Sequence, residues 1–179
     1  MVYDSFLKRN FLVFCMNGLL IGRFQPFHLG HLEALRFALT KVEKLWVGIG
    51  SSNKEHEANN PFSADERKEM ILTSIDESIS DKIEICYVPD LDDHQKWVDS
   101  IDSIVPRFEV VFTNDEFTQT LYREKGVKVF PVPFKDRDVL SGTNIRKKIQ
   151  TDQDWYQLVP DGTKNVLEKI GANQRLKRL

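Results

Sequence analysis

Two histidines three residues apart, His28 and His31, stand in the segment Gly22-Arg23-Phe24-Gln25-Pro26-Phe27-His28-Leu29-Gly30-His31. Imidazole and guanidinium groups gathered within one turn are hydrogen-bond donors suited to an anion. The apolar run Leu19-Leu20-Ile21 before them reads as a strand, and the periodic run after them reads as a helix. A helix start offers unpaired N–H groups and the positive end of a dipole, so this turn is expected to handle phosphate. Gly30 would let a phosphate come close to the backbone. The plainer alternative is a histidine that only caps the helix, followed by one at the surface.

A second stretch, Ser141-Gly142-Thr143-Asn144-Ile145-Arg146, has the same logic. Ser141 reads as an N-cap, Gly142 keeps the turn open, and Arg146 falls one turn into the helix. Alone, it would be an ordinary capped helix. Beside the first motif it is a second anion-binding turn.

The elements that must carry these turns alternate along the chain. Strands are expected at 18–21, 45–50, 82–88, 109–113 and 127–132, with helices between them at about 29–40, 63–79, 94–105 and 115–124. Ser63-Ala64-Asp65-Glu66 is a capping box for the second of these helices. Short helices are expected at 141–150, 153–158 and 163–170, followed by a basic tail, 174–179, read as a solvated end. The pattern is α/β: a Rossmann-like, doubly wound parallel five-stranded sheet in the order 3-2-1-4-5, with C-terminal helices. In that order the turn at 22–31 faces Thr113-Asn114-Asp115 across the switch point between the first and fourth strands. Arg67 is expected to pair at the surface with neighbouring acids.

At 179 residues and a formal net charge of −2, the chain can bury a full core but offers no general polyanion-binding surface. Nucleic acid and membrane are therefore not expected partners, and no segment is long and apolar enough to span a bilayer. Cys15 and Cys86 lack metal-ligand spacing and read as thiols in a reducing, cytoplasmic compartment. Lys8 and Arg9 before Phe11-Leu12-Val13-Phe14-Cys15 imitate a secretory signal, but the apolar run continues into the first strand. Residues 1–15 are expected to be an extension, and 16–179 a single domain.

The turn at 22–31 resembles the signature of the nucleotidyltransferases that share an HxGH motif, and 141–146 resembles their second signature. Further stretches narrow the resemblance to the archaeal-type nicotinamide mononucleotide adenylyltransferases: Gly50-Ser51 with His56, Asn60-Pro61-Phe62-Ser63-Ala64-Asp65-Glu66-Arg67, Trp97-Val98, Asn114, Asp136-Arg137 and Asp154-Trp155. The resemblance covers nearly all of the chain from Met16. It implies AMP transfer from ATP to nicotinamide mononucleotide, giving NAD and pyrophosphate, with a divalent cation (Mg2+) carried mainly on the ATP phosphates. It also implies a homo-oligomer, a hexamer in archaeal relatives. Arg23, His28, His31 and Arg146 are then the catalytic donors, serving the charge that grows on departing pyrophosphate.

ATP would contact Gly22, Phe24, Gln25, Pro26, Gly30, Asn114, Arg137, Ser141, Gly142 and Thr143. The mononucleotide would contact Ser51, Asp92, His94 and Trp97. No protein side chain is expected to ligate a metal. A tryptophan face suits a pyridinium ring, and Asp90, Asp92 and Asp93 lie just before Trp97; the alternative is that Trp97 packs under its own helix. Asn59 and His94 depart from the family pattern near the acceptor. The same chemistry on flavin mononucleotide, phosphopantetheine or a phosphorylated alcohol is the nearest rival reading, followed by a non-catalytic nucleotide sensor.

Overall fold

The structure is a computed structural model describing residues 16–91, 93–133 and 139–179; of His94 and Gln95 it describes the backbone alone. The expected extension at 1–15, Cys15, Asp92, Asp136 and Arg137 lie outside the described residues, as does the His94 side chain.

Successive residues of a strand face opposite sides of a sheet, so a strand apolar at every position needs a core on each face. Strand β1 (Asn17–Gly22) does this with Leu19 and Leu20, which are buried in two separate clusters. It is flanked by β2 (Lys44–Ile49) and β4 (Val110–Phe112), with β3 (Ile83–Tyr87) and β5 (Lys128–Phe130) outside them. All pairings are parallel, in the order β3-β2-β1-β4-β5. At the switch point Leu20 is opposite Val47 on one side and Phe112 on the other.

The larger core takes Leu20, Val47 and Phe112 from the sheet. It is covered by α1 (Leu29–Leu39) through Leu35, α2 (Ala64–Leu72) through Met70, and α6 (Gly142–Gln150) through Ile145. The helices α7 (Asp161–Lys169) and α8 (Ala172–Arg178) extend that layer. The opposite face buries Leu19, Trp46 and Val111 under α4 (His94–Ile104) and α5 (Glu116–Glu124). A short helix α3 (Glu77–Ser80) precedes β3.

Three expectations about the helices change. The helix expected over 63–79 ends at Leu72, because Thr73 and Ser74 are claimed by α7. Ser74 Oγ accepts from the Thr163 N–H at 3.0 Å, and a Cβ on Gly162 would lie 2.2 Å from the Thr73 carbonyl oxygen. The helix expected over 153–158 is a 3-10 turn, Tyr156–Leu158, set by the burial of Trp155. The tail is not a solvated end: it forms α8, buries Leu176, and clips Arg175 to both oxygens of Glu66 at 2.6 and 2.8 Å.

Candidate active site

Helix α1 starts in an unusual cap. His28 Nδ1 accepts from the His31 N–H at 3.3 Å, and His31 Nδ1 accepts from the His28 N–H at 3.4 Å. The pair fills the reciprocal roles that Ser and Glu usually take in a capping box. With both Nδ1 atoms accepting, each neutral ring is assigned its proton on Nε2. The rings stack with centroids 3.6 Å apart, and Phe24 meets the His31 ring edge-on at 4.8 Å. Gly30 is small for that stack: its Cβ would come within 3.2 Å of the His28 ring.

Burial lowers the His28 pKa to about 4, and burial followed by its neighbour His28 holds His31 well below the usual histidine range. Both are therefore neutral Nε2–H donors at pH 7. Histidine-selective 15N spectra of the ligand-free protein are expected to show this tautomer for His28 and His31, with neither of the two titrating near pH 6.5. An imidazolium signature for either residue at pH 7 would overturn the assignment. Between pH 6.5 and about 4 the unfolded chain binds a proton that folded His28 refuses, so stability should fall as pH drops through that window.

The strand ends open onto two adjoining chambers. One, about 740 Å3, is lined by Phe24, His28, Gly30, His31, Asn114 and Ser141 among others. The second, about 650 Å3, is lined by Arg23, Ser51, Lys54, Asp90 and Trp97. Ile21, Thr113 and Asp115 border both, so the two chambers meet at the switch point of the sheet. A larger hollow of about 930 Å3 beside Trp155, Tyr156 and Lys164 contains no residue of either phosphate motif.

Helix α6 brings the second motif to the first. Ser141 caps it, its Oγ accepting from the Asn144 N–H, and Arg146 Nη1 donates to the Gln25 carbonyl at 2.8 Å. Burial, then repulsion from Arg23, lowers the Arg146 pKa. Neither arginine has an ion-pair partner among the described residues; Arg23 lines the second chamber, and Arg146 lines a smaller hollow beside Asn59 and Lys147. The described residues include no cluster of three His, Cys, Asp or Glu side chains placed to hold a metal ion. The donor set fits a cation that arrives bound to phosphate oxygens.

The pattern of a cytidylyltransferase-like family matches residues 19–148, which span the sheet and both motifs. The chain belongs to this cytidylyltransferase-like family. A nicotinamide-nucleotide adenylyltransferase from Thermococcus sibiricus is 39% identical over 92% of this chain and 89% of its own length. A protein of the same name from Archaeoglobus fulgidus is 37% identical over 90% of this chain and 96% of its own. Among solved structures, a bifunctional NMN adenylyltransferase/ADP ribose pyrophosphatase from Francisella tularensis, complexed with AMP and a manganese ion, superposes with a TM-score of 0.75. At 24% identity this likeness supports the fold, and this chain spans about half of that protein, 52% of its length.

Within this member of the cytidylyltransferase-like family, several expected contacts take other roles. Gln25 does not offer its amide to the chamber: it is 4% exposed, donating to the Phe62 carbonyl and accepting from the Phe62 N–H. Asn114 lines the first chamber, but its amide bridges the Val132 carbonyl and N–H, joining the loops after β4 and β5. Trp97 lines the second chamber and also packs against the core under α4. Ser51 lines the same chamber, and its hydroxyl donates to Asp90 at 2.9 Å. Gly22 borders the second chamber and Gly142 the first, while Pro26 is buried and Thr143 is exposed beside Arg146.

Arg67 is a correction. It is fully buried and makes its hydrogen bonds to backbone carbonyls, not to surface acids. A helix position beside Asp65 and Glu66 gives no local signal of that fate.

Proposed function

We propose that the protein transfers the adenylyl group of ATP to nicotinamide mononucleotide, forming NAD and releasing pyrophosphate. The observation that carries this reading is the pair of chambers meeting at Ile21, Thr113 and Asp115, with the imidazole pair in one and Trp97 in the other. ATP in the first chamber and the mononucleotide in the second would meet at the α-phosphorus. The acceptor phosphate oxygen forms the new bond to that phosphorus, and the bond to the bridging oxygen breaks with its electrons leaving on pyrophosphate. The attacking phosphate is already ionised at neutral pH, so no general base is required.

What the chain supplies is alignment and donors. His28 and His31 Nε2–H, the start of α1 and the Arg23 and Arg146 guanidinium groups stabilise the charge that develops on pyrophosphate. A divalent cation such as Mg2+ would be held through phosphate oxygens bound by these residues, and it supplies neutralisation of that same charge. The acceptor contacts at Ser51, Trp97, Asp92 and His94, the ATP contact at Arg137, and the cytoplasmic hexamer belong to the same proposal. So does the division into an extension at 1–15 and a nucleotidyltransferase domain at 16–179.

Incubation with ATP, Mg2+ and nicotinamide mononucleotide is expected to yield NAD and pyrophosphate in equal amounts. Product from flavin mononucleotide or phosphopantetheine but none from nicotinamide mononucleotide would overturn the choice of acceptor. Trp97→Ala should raise KM for the mononucleotide about five- to thirtyfold, because loss of a cation–π contact in a desolvated site costs about 1–2 kcal/mol. KM for ATP should stay within about twofold, and equal rises in both KM values would remove Trp97 from the acceptor site.

A further inference from the structure

Two residues at the floor of the cleft hold a backbone conformation that side chains disfavour. Phe24 has φ 51° and Ser51 has φ 49°, just beyond the ends of β1 and β2. Each such left-handed residue costs about 1–2 kcal/mol and persists only when its surroundings impose it. Both turns abut the second chamber, which Arg23 and Ser51 line.

One side chain reaches both turns. Arg67 Nη1 donates to the Arg23 carbonyl at 2.9 Å and to the Gly50 carbonyl at 2.7 Å, and Nη2 donates to the Ser51 carbonyl at 3.1 Å. Its Nε donates to the Ser63 carbonyl at 3.1 Å, anchoring the group at the start of α2. The bonded carbonyls include those immediately before each left-handed residue. Burial lowers the Arg67 pKa to about 10, so it remains charged at neutral pH. The acids bearing on that charge are Asp90, Glu55 and Glu66, and Arg23 opposes it. A buried guanidinium bonded to carbonyls alone is expensive unless every bond is made. A core-filling role would be met at lower cost by an apolar side chain.

We propose that Arg67 is a positioning residue for the acceptor, holding the turns after β1 and β2 together so that Arg23 and Ser51 face the mononucleotide chamber. The inference rests on the adenylyltransferase reading and adds a residue to it. Binding of ATP should be less affected, because the imidazole pair is held by its own cap in α1 and makes no bond to Arg67, whereas the part Arg23 takes in stabilising departing pyrophosphate would be read in kcat.

The test compares the full-length wild type with Arg67→Lys, Arg67→Met and Arg67→Ala. Initial rates are measured against each substrate in turn, with binding of ATP measured separately by calorimetry. Lysine keeps the charge but cannot span three carbonyls in a planar fork. Arg67→Lys is expected to raise KM for nicotinamide mononucleotide tenfold or more, with the ATP dissociation constant within about threefold of wild type. Adding guanidinium at tens of millimolar to Arg67→Ala should lower KM for the mononucleotide several-fold and leave that for ATP unchanged.

Equal losses for both substrates, or a lysine variant indistinguishable from wild type, would overturn the inference. If Arg67→Met and Arg67→Ala do not fold, the lysine variant decides. A wild type that forms no NAD sinks the adenylyltransferase reading instead, which separates the two failures.

Discussion

His31→Ala is expected to lower kcat by about two to three orders of magnitude, with KM for nicotinamide mononucleotide changed by no more than a few-fold. Removing one donor aimed at charge that grows in the transition state costs about 3–4 kcal/mol, which converts to that rate loss. A uniform binding contact would move KM instead. The variant also deletes half of a cap, since the His28 N–H loses its acceptor and the stacked ring loses its partner. A stability loss of about 1 kcal/mol is therefore expected alongside the kinetic one.

His31→Gln separates the two effects. Glutamine at this position can restore the reciprocal cap, but its carboxamide cannot place a donor where imidazole Nε2–H points. Its thermal midpoint should return towards wild type while kcat stays at least tenfold down. Wild-type kcat in His31→Ala would remove the imidazole from the chemistry altogether. The same measurement tests the sensor alternative, which predicts ATP binding with no turnover to lose.

Gly142→Ala should cut kcat/KM for ATP by about a hundredfold. A Cβ there would lie 2.6 Å from the Gln25 carbonyl oxygen, a separation that a real side chain does not tolerate. The carbonyl has little freedom to retreat. Its residue is pinned through the side chain by two hydrogen bonds to Phe62, and the oxygen itself accepts from Arg146. The start of α6 must therefore back away, carrying Ser141 and Arg146 from the first phosphate turn. Overpacking of this kind costs about 1–3 kcal/mol in stability as well.

Gly126→Ala is the matched control. It meets nothing within 4 Å but sits at φ +75°, so it should lose about 1 kcal/mol of stability with unchanged kinetics. If Gly142→Ala keeps kcat/KM for ATP within about threefold, the close approach of the two turns is not what holds the triphosphate.

The two helix starts that carry the motifs were legible because they are local. The cap between His28 and His31 spans three residues, as does that of Ser141 on Asn144. A strand–turn–helix start can be read from one stretch of chain, and apolar runs alternating with helical periods imply a parallel sheet with one switch point. Strand order and the facing of 22–31 with Asn114 follow from that pattern. The tail misled for the same reason. Its charges are local and suggest solvent, whereas Arg175 finds Glu66 109 residues away and Leu176 joins the main core.

By itself, then, the sequence determined the sheet and the two capped helix starts after β1 and before α6, since each depends on neighbours a few positions away. Tertiary structure alone decided how the turns are held. Arg67 reaches carbonyls 16 to 44 positions off, Gln25 locks to Phe62 across 37, and Arg146 returns to Gln25 across 121. These bonds join polar side chains to backbone carbonyls or N–H groups, which every residue carries and no sequence pattern marks. Whether an arginine is a solvated charge or the buried tie of a cleft depends on which carbonyls the folded chain brings around it.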